Sequence, residues 1–194
     1  MIRKASVHRK TKETNISLSV ILDGTGTADI TTDFPFLGHM LELLARFSGV
    51  DLTVEAHGDM DVDEHHLVED TGICLGDALK EGLGDKKGIG RFGFSSCPMD
   101  EVLVQVSLDI SGRPYLAFNI PDIRGRDGAF ETEDTNEFLK GFVNHAGVTL
   151  HVTLVCGENL HHVNEAIFKG LALALKQAAR VEGDRLPSTK GTID

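Results

Sequence analysis

The sequence is written twice over, and that repeat limits the possible folds more than any other feature. His65, His66, Glu69, Leu75, Ala78, Leu79 and Lys80 return, in the same order and spacing, as His161, His162, Glu165, Leu171, Ala174, Leu175 and Lys176. Gly49-Val50-x-Leu52-x-Val54 returns as Gly147-Val148-x-Leu150-x-Val152, and the turn Asp23-Gly24-Thr25-Gly26 is matched by Asp109-Ile110-Ser111-Gly112. The separation between copies shifts slightly from block to block, so short insertions and deletions divide the halves. Such a chain has to build one supersecondary unit and then build it again.

Periodicity supplies the unit. Residues 2–10 and 15–22 read as strands around a polar turn at Lys10–Thr14, and a short third strand ends near Thr31, giving the start of an antiparallel meander. Phe36, Met40, Leu43, Leu44 and Phe47 then fall at helical spacing, with Pro35 suited to the first turn and Gly49 to the cap. A strand over 50–56 and a helix from His65 to Gly82 complete the first copy. The second repeats it with strands near 91–96, 101–109 and 113–119, a helix near 134–146, a strand at 148–155 and a helix from His161 to about Val181. The expectation is an internally duplicated α+β fold, two β-β-β-α-β-α halves with helices packed on mixed or antiparallel sheets. We expect one domain, 1–194, with halves of about 1–86 and 87–194. Gly72, Gly76 and Gly82 would each weaken an isolated helix by about 1 kcal/mol relative to Ala, so their use is close helix packing or approach to a ligand.

Composition narrows the function. The formal charge of −11 opposes a nucleic-acid partner, and any anionic ligand then needs a local basic pocket. Cys74, Cys97 and Cys156 form no CxxC pair and read as small buried groups in a reducing compartment. No apolar run approaches a membrane span and the first residues lack a signal-peptide core, so the cytoplasm is expected.

Histidine is abundant, at nine residues, where Trp is absent and Tyr occurs once. In a helix, His-His-x-x-Glu sets the Glu three and four residues beyond the two imidazoles, on one face. A single copy is more often a solvated helix end. Two copies at matching repeat positions, with His39 and His151 on the elements just before them, read as a ligand set. Adjacent histidines diverge by about 100°, so two pairs more naturally serve two ions. Imidazole with carboxylate suits Mn, Fe, Zn, Co or Ni. His8, His57 and His145 lack this placement and read as surface or core residues. A second constellation is basic: Arg91, Arg113, Lys169 and Lys190, with Ser188 beside the last, have the chemistry of a phosphate-sized anion site. The tail Pro187-Ser188-Thr189-Lys190-Gly191 reads equally as a mobile end.

These motifs, with Arg9-x-Thr11-x-Glu13-Thr14-x-Ile16, Gly38-His39-Met40-Leu41, Asp63-Glu64-His65-His66-Leu67-Val68-Glu69-Asp70 and Pro98-Met99-Asp100-Glu101, run nearly end to end. Leu150-His151, Asn159-x-His161-His162-x-x-Glu165-x-x-Phe168-Lys169 and Pro187-Ser188-Thr189-Lys190-Gly191 continue the pattern. Together they resemble the imidazoleglycerol-phosphate dehydratase family. The resemblance implies a fold like that of ribosomal protein S5 domain 2-like proteins and assembly of trimers into a 24-subunit shell. It also implies dehydration of a phosphorylated imidazole in histidine biosynthesis, at a dimanganese site that stabilises the substrate imidazolate. The implied division puts His65, His151, His161 and Glu165 on one Mn2+ and His39, His66, Glu69 and His162 on the other, in a site lying between subunits. Glu13 is implied in proton transfer and substrate contact, His39, His66, Glu69 and Lys169 in the catalytic centre, and Arg91, Arg113, Lys169, Ser188 and Lys190 in holding the phosphate.

The chain departs from the family at Gly38, where an Asp usually precedes the helix-borne histidine and orients it. It also departs near Glu42 and Phe47, where the family tends to have Gln and His. Two other functions use the same ligands: a metal-binding shell protein without catalysis, and a dimetal phosphate-ester hydrolase.

Overall fold

The computed structural model describes residues 2–123 and 130–193. The first half runs β1 (Lys4–Lys10), β2 (Thr14–Ile21), β3 (Ala28–Thr32), α1 (Pro35–Ser48), β4 (Asp51–Gly58) and α2 (His65–Leu83). The second runs β5 (Phe92–Met99), β6 (Val102–Asp109), β7 (Tyr115–Asn119), α3 (Thr132–Ala146), β8 (Thr149–Cys156) and α4 (Leu160–Ala179). Both copies of the expected unit are present, in the expected order.

Each half makes its own four-stranded sheet, ordered β1-β2-β4-β3 and β5-β6-β8-β7. The strand order corrects the expected meander. β1 and β2 form an antiparallel hairpin, but β4 lies between β2 and β3, antiparallel to the former and parallel to the latter. The helix between β3 and β4 causes this, because a helical crossover returns the chain to the sheet travelling in its original direction. Along β2, Ile16, Leu18 and Val20 are buried while Asn15 and Ser17 are exposed, so the sheet covers the core with one face only.

The helices line the covered faces and pair across the repeat. α2 lies on β1 and β2 and packs against α3; α4 lies on β5 and β6 and packs against α1. The two halves therefore share one apolar interior, whose largest fully buried side chains include Phe130, Phe138, Phe142 and Phe168. The helical glycines explain the closeness of the pairing. A Cβ on Gly72 would sit 2.2 Å from the Phe138 carbonyl oxygen, and one on Gly76 would sit 2.6 Å from that of Phe142. Gly82 instead faces the Leu22 side chain. Pro35 begins α1, and Gly49 closes it in the left-handed region at φ 81° with its N–H donating to the Ala45 carbonyl. Cys74 and Cys97 are buried as expected, and burial pushes the Cys74 thiol up to about 12. Cys156 corrects the reading: it ends β8 on the exposed side. Among the described residues, no helix is long and apolar enough to cross a membrane.

Candidate metal centre

The amino-terminal ends of the helices gather at one end of the molecule. Phe36 in the first turn of α1 lies 4.9 Å from the Phe130 ring, just before α3, and 5.3 Å from the His161 ring at the start of α4. At the start of α2, the charge of His65 acts on Asp134 in the first turn of α3. Both His-His-x-x-Glu motifs thus open helices on the same end.

His39, His161 and Glu165 meet there, each offering a ligand atom within 4.8 Å of the others. His39 Nε2 lies 2.9 Å and His161 Nε2 3.2 Å from the same Glu165 oxygen, Oε1. Lys169, one turn along α4, donates from Nζ to the other oxygen at 2.5 Å and to Met99 Sδ at 3.3 Å. Burial would raise the Glu165 carboxyl, but the hydrogen bonds from Lys169 and His39 outweigh it and hold the group down to about 2. The carboxylate is therefore ionised at any physiological pH. Two imidazole nitrogens converging on one ionised carboxylate form a mixed nitrogen and oxygen donor set suited to a divalent first-row cation.

The second histidines of the motifs are held by carboxylates. His66 Nδ1 is 3.1 Å from Asp59 Oδ1, and His162 Nδ1 is 2.8 Å from Glu101 Oε2. These hydrogen bonds raise both histidines above the ordinary range. Glu13 sits on the β1–β2 turn, where its charge also acts on His66, and its carbonyl accepts from the Asp59 N–H at 3.0 Å. His65 and Glu69 are half-buried on α2. Sequence reasoning passed over Asp59, which was legible only as part of an acidic segment, and Glu101, legible only within Pro98-Met99-Asp100-Glu101.

The geometry regroups several of the sequence-derived residues. His39, implied for one ion, stands with His161 and Glu165, implied for the other. His151 is exposed on the outer face of β8, its ring 5.8 Å from Tyr115, because Leu150 and Val152 take the core-facing positions. A sheet one residue thick separates it from the helix layer within this chain. Lys169 leaves the basic set and joins the metal end, since four residues of helix bring it onto Glu165.

The remaining basic residues collect at the opposite end. The Arg91 N–H donates to the Ala178 carbonyl in the last turn of α4. Its guanidinium grips Asp109 at 2.7 and 3.2 Å and donates to the Pro187 carbonyl at 2.8 Å, bringing the tail with Ser188 and Lys190 alongside. Arg113 occupies the adjoining β6–β7 corner, where its N–H donates to Ser111 Oγ. A second arginine clamp lies at the same end of α4: Arg3 grips Asp23 and donates to the Ala179 carbonyl at 2.7 Å. Helix rise alone puts about 26 Å between His161 and Ala178.

Fold and donor set together define a duplicated α+β protein with a helix-borne His/Glu cation site at one end and a basic cluster at the other. Comparison with known proteins makes this specific. A family model described as imidazoleglycerol-phosphate dehydratase matches residues 32–175. A protein of that description from Desulforudis audaxviator is 53% identical over 195 residues, covering 100% of both chains, and one from Citrifermentans bemidjiense is 54% identical over 197 residues with the same coverage. The crystal structure of the Pyrococcus furiosus enzyme in complex with (S)-C348 has a TM-score of 0.85 at 39% identity, covering 96% of this chain and 99% of that one. The Staphylococcus aureus enzyme has a TM-score of 0.81 at 40% identity, covering 90% and 97%. This chain belongs to the imidazoleglycerol-phosphate dehydratase family. It is accordingly a lyase of histidine biosynthesis, in a metal-dependent family whose substrate is a phosphorylated imidazole.

Proposed function

We propose that the protein dehydrates imidazole glycerol phosphate to imidazole acetol phosphate in the cytoplasm, using two Mn2+ per active site. The observation that carries this reading is the convergence of His39 and His161 on the ionised Glu165. His65, His66, Glu69, His151 and His162 supply the remaining ligands. The C–H to be broken has no neighbouring carbonyl to acidify it, and the bound cations supply the Lewis acidity that lets the substrate's imidazole ring accept those electrons. Glu13 takes the proton; its place on the hairpin turn near His66 supports that role. Lys169 contacts the substrate from beside Glu165. Arg91, Arg113, Ser188 and Lys190 hold the phosphate, with the Arg91 fork oriented by Asp109.

The about 26 Å between the two ends exceeds the reach of an imidazole and a phosphate joined by three carbons. A complete site therefore takes its metal end from one protomer and its phosphate end from another, and His151, on the outer sheet face, reaches a neighbour's site. Trimers built into a 24-subunit shell provide such contacts. The two halves act as one domain, because α1 and α4, one from each half, carry the metal cluster together.

The test is to incubate chelator-stripped protein with imidazole glycerol phosphate, with and without Mn2+, and follow ketone and free phosphate. Ketone formation that depends on Mn2+ is expected. Phosphate release without ketone, or turnover indifferent to every divalent cation, would overturn the reading.

A further inference from the structure

We propose that Asp59 and Glu101 are positioning residues, each holding the Nδ1–H of a motif histidine so that its Nε2 lone pair is presented to a metal ion. The inference rests on the reading of His66 and His162 as metal ligands. It begins from a coincidence of geometry between the halves. His66 and His162 are the second histidines of the two motifs, and each has Nδ1, rather than Nε2, on a carboxylate oxygen, at 3.1 and 2.8 Å.

The two carboxylates do not occupy equivalent positions in the repeat. Asp59 follows β4, whereas Glu101 lies in the β5–β6 turn. A contact merely inherited through duplication would use matching residues, so the halves reached one arrangement by different routes. The position in the first half that matches Glu101, the β1–β2 turn, is occupied by Glu13. With Asp59 already on His66, Glu13 is left available for the substrate. The same hairpin position thus orients a histidine in one half and serves the reaction in the other.

Both carboxylates are anchored. The Asp59 N–H donates to the Glu13 carbonyl at 3.0 Å, and its own carbonyl accepts from the Val62 N–H at 2.7 Å. The Glu101 carbonyl accepts from the Cys156 thiol at 3.7 Å, and Asp100 before it turns the backbone at φ 49°. His162 Nε2 faces Asp100 Oδ2 at 3.7 Å, within ion-pair distance but too long for a hydrogen bond, so the Glu101 contact at Nδ1 is the shorter of the two. A neutral imidazole has one N–H and one lone pair, and fixing the proton on Nδ1 fixes both the lone pair and the ring plane. His39 and His161 also lead with Nε2.

The test uses the full chain with Asp59→Ala, Asp59→Asn, Glu101→Ala and Glu101→Gln, in two measurements. The first is solid-state 15N spectroscopy of histidine-labelled, metal-free protein at a pH where the rings are neutral, with signals assigned by loss in His66→Gln and His162→Gln. We expect the Nδ1–H tautomer at His66 and His162, its loss in the alanine variants, and its retention in Asp59→Asn and Glu101→Gln, whose amide oxygens still accept. The second is calorimetric titration with Mn2+. Affinity should fall about 10- to 100-fold in the alanine variants and recover largely in the amide variants, while the melting temperature of the metal-free protein stays unchanged. A wild-type protein with Nε2–H at both rings, or alanine variants that bind Mn2+ as tightly as wild type, would overturn the inference. A wild-type protein with the expected tautomers that binds neither Mn2+ nor any other first-row divalent cation would instead overturn the reading of these histidines as ligands.

Discussion

Mixing two impaired variants should restore activity if a complete site spans two protomers. His39→Ala removes a ligand from the cluster with His161 and Glu165 and leaves Arg91, Arg113 and the tail intact. Arg113→Ala does the reverse. The basic corner is separated from the cluster by the length of α4, 20 residues at about 1.5 Å each, so neither defect can be repaired within its own chain. Losing a charged phosphate contact costs about 1.5–3 kcal/mol, which puts Arg113→Ala at least tenfold below wild type at substrate concentrations under KM. In particles co-assembled from equal amounts, a site needs its metal end from the Arg113→Ala chain and its phosphate end from the His39→Ala chain. Each choice has even odds, so about one quarter of sites are restored in a symmetric homo-oligomer. The assay is steady-state ketone formation by particles co-refolded from the two chains and isolated through a different tag on each. Activity no greater than the mean of the parents, in particles shown to contain both, would refute the two-protomer site.

The other predictions concern the fold and its electrostatics. Gly72→Ala should destabilise the protein by about 1–3 kcal/mol despite the better helix propensity of Ala, because the new Cβ lands on the Phe138 carbonyl; chemical denaturation showing equal or greater stability would refute the close packing. Asp134 is pushed up to about 6, chiefly by burial, so its ionisation opposes folding: the native state is unpenalised below about pH 4 and loses stability as pH rises through 6. Asp134→Asn keeps an acceptor for the Glu131 N–H, and in metal-free protein its melting temperature should match wild type near pH 4 and exceed it at pH 7. A difference independent of pH would refute this account. Asp109→Asn should release Arg91 and the tail, raising KM with metal content unchanged; loss of metal instead would place this clamp in the wrong half of the site.

Much of the fold was legible in the chain because its determinants are local. Alternation along 14–21 and helical spacing after Pro35 follow from which positions face a core, and the two copies of His-His-x-x-Glu announced a duplicated ligand set. The basic residues were recognisable by type, but their neighbours were not. Nothing near Arg91 indicates that Asp109 and the Pro187 carbonyl occupy its fork. Asp59 and Glu101 were hidden for the same reason, as acids whose meaning depends on the histidine they touch.

The sequence by itself determined the repeat, the elements of each half and the residue types able to hold a cation and an anion, since periodicity and side-chain chemistry are properties of short segments. Only the tertiary structure decided that β4 inserts between β2 and β3, that His39 joins His161 and Glu165, that His151 faces away, and that the basic corner lies at the far end of α4. Those outcomes depend on which apolar faces meet. Glycines on α2 and the burial of both sheets drive helices of different halves together, and that pairing across the repeat sets which side chains share a site.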